Sequence, residues 1–550
     1  MPIVEALEKY KSSGRLRLHM PGHKGRVDDG AELSRIFCDE MLAADITEIA
    51  GMDDLHAPEG IIRDAEALAA ELFGADRTFF LVNGTTSGIM AAIAAVAGED
   101  EPLLVARDCH KSVTRGLVLG GARPVYIMPH VDRESGLAAG ISVEDVREAF
   151  RKNLGVRGIV LSHPSYYGTY SDLQSIVDIA HSHGAIVIAD EAHGAELAFT
   201  AQDGIPEALA AGADIAVQST HKMLGSLTQS SMLHVQGTLV DMDRLEYYVS
   251  MMTSTSPSYL LMASLDAVRC EMHARGREIW QAVLDMTADA ADVIDEIPGM
   301  ACVRTFESAD GEKKPLEGSR LLVSAADCGI SGRRLGELLY REYNIDVEFS
   351  DDRYVIVLLG SHSKRADMDA FVAALRGISH DYYNDGKSAL TMGNARHIDI
   401  DMKCASKENS DTNYYIEEMK HVAGTECTCE YENQRAHDSG HICEIVNLTA
   451  PAIEAYLTPR KAVTAPHSTL ELRMCEGMVA ASEIAIYPPG IPLVEPGEII
   501  SVELIDYLYE RLEAGWHIHG IKKVNEDGIE KYVIVVAEDE SRKMLFNCVF

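Results

Sequence analysis

No stretch of the chain approaches the ~18–20 uncharged apolar residues that a membrane-spanning helix needs. The N-terminus, Met1-Pro2-Ile3-Val4-Glu5-Ala6-Leu7-Glu8-Lys9, lacks the basic and then apolar runs of a secretory signal. Positive charge is scarce: 49 Lys and Arg stand against 86 Asp and Glu, a net charge of −37 with His neutral. Such a chain is repelled by phosphate backbones, which argues against nucleic-acid binding. Solubility is the plainest consequence of the charge, and attraction of cationic small molecules is a second. A disulfide framework is also missing. The cysteines number 11, an odd count scattered along the sequence, as expected for reduced thiols in a cytoplasm. What the chain does have is 550 residues, 47% of them hydrophobic, enough for a large core spread over several domains. Wholesale disorder is thereby excluded.

From Asp76 to about Gln236, apolar runs alternate with helical patterns. Thr78–Val82, Leu103–Ala106, Val125–Met128, Gly158–Ser162, Ala185–Ala189 and Ile215–Ser219 read as strands, several without polar alternation, as parallel strands covered on both faces require. Ser87–Val96 and the spacing of Leu173, Ile176, Val177 and Ala180 read as helices, the second stopped by Gly184. This βα repetition predicts an α/β domain with a mostly parallel sheet, within residues 1–257. A long helix from Ser258 to Asp295, with Gly276 its only strong breaker, then leads into a smaller α/β domain ending near 379, with strands at Leu321–Val323 and Val355–Leu359. Residues 380–444 form a polar insertion, and apolar patterning resumes over 445–550 in a C-terminal α+β domain.

Three short motifs sit at predicted strand ends, the edge where open α/β sheets bind ligands. Asn83-Gly84-Thr85-Thr86-Ser87-Gly88 lies between a strand and a helix and suits a single phosphate, although an ordinary capping turn has the same composition. In Asp190-Glu191-Ala192-His193-Gly194 the acid directly follows a strand, where a carboxylate holds a pyridinium nitrogen protonated or is simply a solvated strand end. Ser219-Thr220-His221-Lys222 supplies a lysine able to form a Schiff base, although most lone lysines are surface charges. Taken together and in this order, with Lys222 32 residues after Asp190, the motifs resemble the fold-type-I pyridoxal-5′-phosphate enzymes.

His19-Met20-Pro21-Gly22-His23-Lys24-Gly25, Asp53-Asp54-Leu55-His56-Ala57-Pro58, Arg107-Asp108-Cys109-His110-Lys111-Ser112, Thr253–Tyr259 and Tyr487-Pro488-Pro489-Gly490-Ile491-Pro492 narrow this further. They resemble the bacterial ornithine/lysine/arginine decarboxylase family, in particular its short forms, over about residues 1–378 and 446–520. The resemblance implies that Lys222 forms the Schiff base with pyridoxal 5′-phosphate, Asp190 pairs with the pyridine nitrogen and His110 stacks on the ring. It further implies that Ala192 and His193 flank the ring, and that Thr85, Thr86, Ser87, Ser219 and His221 hold the phosphate. Thr255 and Ser256 would reach the partner subunit's phosphate site in a homodimer. Lys222 or a nearby histidine would return a proton to Cα after CO₂ leaves.

Two departures stand out. His163-Pro164-Ser165-Tyr166 replaces a usual Asn-Pro-Thr-Tyr, and Gly477-Met478-Val479-Ala480-Ala481-Ser482-Glu483 lacks an arginine and displaces an acid by one place. The reaction expected is decarboxylation of a basic L-amino acid, L-arginine to agmatine ahead of lysine to cadaverine or ornithine to putrescine, within polyamine biosynthesis. Amino transfer, acyl transfer and a non-catalytic regulator keeping the fold are the competing readings. Asp53 and Asp54 are candidates for the substrate's distal cation. Cys427, Cys429, His437, His441 and Cys443 in the insertion do not follow a standard zinc spacing, and no metal is expected.

Overall fold

The computed structural model describes residues 1–27, 31–200, 205–391, 455–487, 490–526 and 529–538. The Cys and His residues of the polar insertion lie outside the described residues.

The βα repetition folds into a seven-stranded sheet. Its strands are β1 (Arg77–Leu81), β2 (Pro102–Ala106), β3 (Arg123–Ile127), β4 (Gly158–Ser162), β5 (Ile186–Asp190), β6 (Ile215–Gln218) and β7 (Ser231–Val235), in the order β1-β7-β6-β5-β4-β2-β3. All pairings are parallel except those of β7, which runs antiparallel to both β1 and β6. Every residue of β2, β5, β6 and β7 is buried, which is why these strands show no alternation in sequence. Register places Ser162 beside Asp190 and Asp190 beside Val217, so three strands end together on one edge.

The helix Gly84–Val96 lies directly on this sheet. A Cβ at Gly88 would stand 2.6 Å from Leu81 and 2.7 Å from Val217, so only glycine lets the helix approach closely enough to bring its N-terminus to the strand edge. The helix Tyr259–Asp295 then runs unbroken through Gly276. The missing side chain at Gly276 makes room for the Phe199 ring, 2.6 Å from where a Cβ would sit. Packing, not chain reversal, accounts for that glycine.

The smaller domain has a four-stranded antiparallel sheet in the order Phe349–Ser350, Val355–Leu358, Arg320–Ser324, Ala301–Val303, backed by the helices Gly332–Tyr343 and Arg365–Thr391. The C-terminal domain combines the sheet strands His467–Glu471, Val479–Ala480, Lys522–Glu526 and Ile529–Ala537 with a second sheet of Ile484–Ile486, Pro492–Val494 and Ile518–His519. The helix Val502–Glu513, capped by the Ser501 hydroxyl, closes a core of Leu472, Ile484, Ile486, Val494, Ile500, Leu508 and Ile534. Among the described residues no helix is long and apolar enough to cross a membrane.

Candidate active site

The strand edge gathers most of the residues singled out by sequence. Asp190 ends β5, is 7% exposed, and accepts the Ala192 N–H at 3.2 Å. Burial raises its pKa, and the nearby Lys222 charge pulls the other way. A buried carboxylate with one backbone donor suits a cationic partner. Lys222 lies in the short helix Thr220–Met223 immediately after β6 and opens onto the cleft. Desolvation by the surrounding protein lowers its pKa, against the pull of Asp190 and Glu348, and so favours the neutral, nucleophilic amine.

His193 sits 2.9 Å from Lys222 through Nε2, while its Nδ1 is buried without a protein partner. Burial and then Lys222 depress its pKa strongly, so the ring is neutral. The Tyr166 ring meets it edge-on, with centroids 5.1 Å apart. His110 caps the helix Lys111–Gly120: its Nδ1 accepts the Ser112 N–H at 3.2 Å and lies 2.9 Å from the Ser112 hydroxyl. Since Nδ1 accepts, the proton of the neutral ring is on Nε2. Burial, and then the Lys222 charge, lower this histidine to about 3.

On the phosphate side, the Thr85 and Ser219 hydroxyls are 2.8 Å apart at the start of the helix Gly84–Val96, where unpaired N–H groups favour an anion. Thr86 shares this first turn, while the Ser87 hydroxyl is spent on the Gly84 carbonyl at 2.8 Å. His221 donates from Nδ1 to the Ser230 carbonyl at 2.9 Å, so it presents a donor at Nε2 only when protonated. Thr255 and Ser256 are exposed, in a segment held by His56, whose ring contacts Ser250 Oγ at 2.8 Å and the Ser254 carbonyl at 2.9 Å. A buried acid, a depressed lysine and a hydroxyl-bearing helix start fit a pyridoxal-phosphate group.

Two sequence-based candidates change character. Burial pushes the Asp53 carboxylate up, but four backbone N–H groups (Asp54, Glu59, Gly60 and Ile62, at 2.8–3.1 Å) hold it below the usual carboxylate range. Asp54 caps its own turn through the His56 N–H at 2.9 Å. Asp53 is therefore an anchor for the helix Ile61–Phe73 rather than a free acid for substrate. The fully buried His163 is committed through Nε2 to the Pro206 carbonyl at 2.8 Å.

Other site residues gave no signal in the sequence. Glu348, just before the strand Phe349–Ser350, accepts the Tyr166 hydroxyl at 3.0 Å, and its charge is felt by Lys222. Arg320 is fully buried and spends all five N–H donors. Nε and Nη2 reach Glu317 at 2.8 and 2.5 Å, Nη1 reaches the Ser165 and Tyr166 carbonyls at 3.1 and 3.0 Å, and Nη2 also reaches the His193 carbonyl at 3.0 Å. It thereby fixes the backbone that carries His193, which meets Lys222, and Tyr166, whose ring meets His193.

Comparison with known proteins agrees with this geometry. Over 541 residues the chain is 32% identical to an arginine decarboxylase of Bacillus subtilis, covering 98% of each, and equally similar in identity and coverage to one from Halalkalibacterium halodurans. It is 24% identical to the constitutive lysine decarboxylase of Escherichia coli, covering 96% of this chain and 80% of that one. The solved structure of the E. coli constitutive lysine decarboxylase superposes with a TM-score of 0.76 at 21% identity, covering 98% of this chain and 82% of the other, and shares the fold. Residues 1–317 match the major domain of the Orn/Lys/Arg decarboxylases and residues 444–538 their C-terminal domain. With both family domains accounted for, the chain belongs to the Orn/Lys/Arg decarboxylase family, pyridoxal-phosphate enzymes that decarboxylate basic amino acids.

Proposed function

We propose that this chain converts L-arginine to agmatine and CO₂ in the cytoplasm, as a homodimer. The observation that carries the substrate reading is the Glu348 carboxylate, held by Tyr166 at 3.0 Å and within the field of Lys222. It gives the far end of a cationic side chain an acid to meet while the α-amino group meets Lys222. A guanidinium gains two parallel bonds from such an acid and an ammonium only single contacts. The names of the nearly full-length relatives, arginine decarboxylases at 31–32% identity, favour arginine over lysine and ornithine.

Pyridoxal 5′-phosphate supplies the electron sink for the electrons left at Cα. Asp190 keeps the pyridine nitrogen protonated and His110 stacks on the ring. The N-terminus of Gly84–Val96, with the Thr85, Thr86 and Ser219 hydroxyls and the Ser87 backbone N–H, holds the phosphate, and His221 adds a donor only when protonated. Ala192 and His193 would flank the ring. Lys222 and His193, 2.9 Å apart and both disposed to be neutral, hold and return the proton delivered to Cα. Arg320 has no donor left for the substrate's α-carboxylate. A guanidinium clamped there would stabilise the carboxylate and oppose its loss, so a spent arginine favours decarboxylation over a reaction that keeps the carboxylate. Thr255 and Ser256, exposed on one protomer, complete the phosphate site of the other.

The deciding experiment is a kcat/KM series with arginine, lysine and ornithine, quantifying the amine product. A preference for lysine or ornithine defeats the arginine assignment, and a keto acid in place of an amine defeats decarboxylation.

A further inference from the structure

Contacts from the C-terminal domain converge on the turn Arg107–Lys111 that carries His110. The Arg107 guanidinium is buried, lies 5.4 Å from the centroid of the Tyr126 ring, and donates to three acceptors from that domain: the Pro492 carbonyl at 2.6 Å, the Leu493 carbonyl at 3.2 Å and Glu498 Oε2 at 3.0 Å. The Glu498 carboxylate also accepts the Glu495 N–H at 2.7 Å, tightening the same turn. The Gly490 carbonyl accepts the Lys111 N–H at 3.0 Å. The Lys111 ammonium lies 3.1 Å from His519 Nδ1 and 4.4 Å from the centroid of the Tyr487 ring, which stacks on His519.

Gly490 is the piece that touches the histidine. Its φ is +87°, and a Cβ there would stand 3.1 Å from Tyr487 Cδ2 and 3.3 Å from both Cδ2 and Nε2 of His110. The imidazole plane turns about a broad torsion that rotamer preference alone does not fix. Ser112 holds the ring by Nδ1, and the Gly490 backbone walls the opposite edge. We infer that the C-terminal domain is a working part of the cofactor site: Gly490, seated by the Arg107–Glu498 pair, sets the plane of His110. Gly490, Arg107 and Glu498 are positioning residues that act through that ring. The inference rests on the reading that His110 lies against the cofactor ring.

The test compares Gly490→Ala and Glu498→Gln with Gly477→Ala and His110→Ala. Gly477 has φ +70° in the same domain and open space around a would-be Cβ, so it carries the backbone strain without the ring contact. Three quantities are read: the cofactor Kd of the apo-protein, the circular dichroism of the bound cofactor, and apo-protein unfolding. Gly490→Ala and Gly477→Ala should lose comparable stability. Only Gly490→Ala should raise the cofactor Kd, by about 10-fold, and change the bound-cofactor band. Glu498→Gln should move Kd and band the same way from the far side of the turn. Should Glu498→Gln fail to fold, the two glycine variants decide alone. Cofactor binding by Gly490→Ala indistinguishable from Gly477→Ala overturns the inference. An unchanged Kd and band in His110→Ala is a different failure: it overturns the stacking reading, and this inference with it.

Discussion

Replacing Asp190 by Asn should move two properties in opposite directions. In the apo-protein the carboxylate is buried, and among the described residues its hydrogen bond is the single one from the Ala192 N–H. Its pKa is raised by desolvation above the unfolded value of about 4. Such a group stabilises the fold fully only below its unfolded pKa and loses that contribution as pH rises through its folded value. An isosteric amide escapes the penalty, so apo Asp190→Asn should exceed wild type by about 1–3 kcal/mol at pH 8 and match it near pH 4. In the cofactor complex the sign reverses, because the amide leaves the pyridinium without its counter-charge. Losing one partner of a buried pair costs about 3–5 kcal/mol, or on the order of 10²–10⁴-fold in cofactor Kd. Denaturant unfolding of apo-protein at the two pH values and cofactor titration followed by absorbance measure both halves. An apo variant no more stable than wild type at pH 8, binding cofactor with unchanged Kd, would refute the reasoning.

Lys222→Ala should abolish turnover and the visible absorbance of the cofactor imine while leaving apo-protein unfolding intact; wild-type-like turnover would sink the assignment. Glu348→Gln should lower kcat/KM for arginine by on the order of 10²-fold with little change in cofactor Kd, and equal losses in both would place Glu348 elsewhere. Mixing inactive Lys222→Ala with a variant disabled at Thr255 and Ser256 should restore roughly a quarter of wild-type activity through mixed dimers with one intact site; no recovery counts against the shared site. Glu66, 4% exposed and raised to about 8 by burial, is neutral at pH 7. Its stabilising contribution is complete below about 4.5 and lost as pH passes about 8. Glu66→Gln should therefore unfold like wild type at pH 4 and resist better, by a few kcal/mol, at pH 9, with parallel unfolding curves at both pH values as the contrary result.

Much of the large domain was legible because it follows local rules. Gly158–Ser162 was read with its observed ends, and β5 and β6 each ended one residue away from expectation. Lys222, Asp190 and the Thr85 turn were legible because strand-end chemistry and chain order are properties of sequence. Arg320 and Glu348 were not, since each reaches the cleft from the smaller domain and nothing local distinguishes it from a surface charge. Asp53 misled for the complementary reason: an acid in a loop looks free until its four backbone donors are seen. The helix through Gly276 was read correctly, but the reason for the glycine was not legible, because one required by a neighbouring ring has the same letter as one that ends a helix.

The helix Tyr259–Asp295 is also a lever. At 1.5 Å per residue its 37 residues span about 55 Å. Near its start, the Tyr259 hydroxyl is bonded to the backbone of Asp53, and Asp266 accepts the Ile3 N–H at 2.9 Å. At its far end Arg304 grips Asp292 and Asp295 at 2.6 and 2.7 Å, beside the strand that opens the smaller domain. A tilt of about one degree about the first turn carries the last turn by about 1 Å over that length. Glu348 belongs to the smaller domain that follows the far end, and the exposed Thr255 and Ser256 lie just before the near end. A lever of that length ties the placement of the smaller domain to the first turn of the helix, while Asp190 and Lys222 stand at the ends of sheet strands and do not move with it.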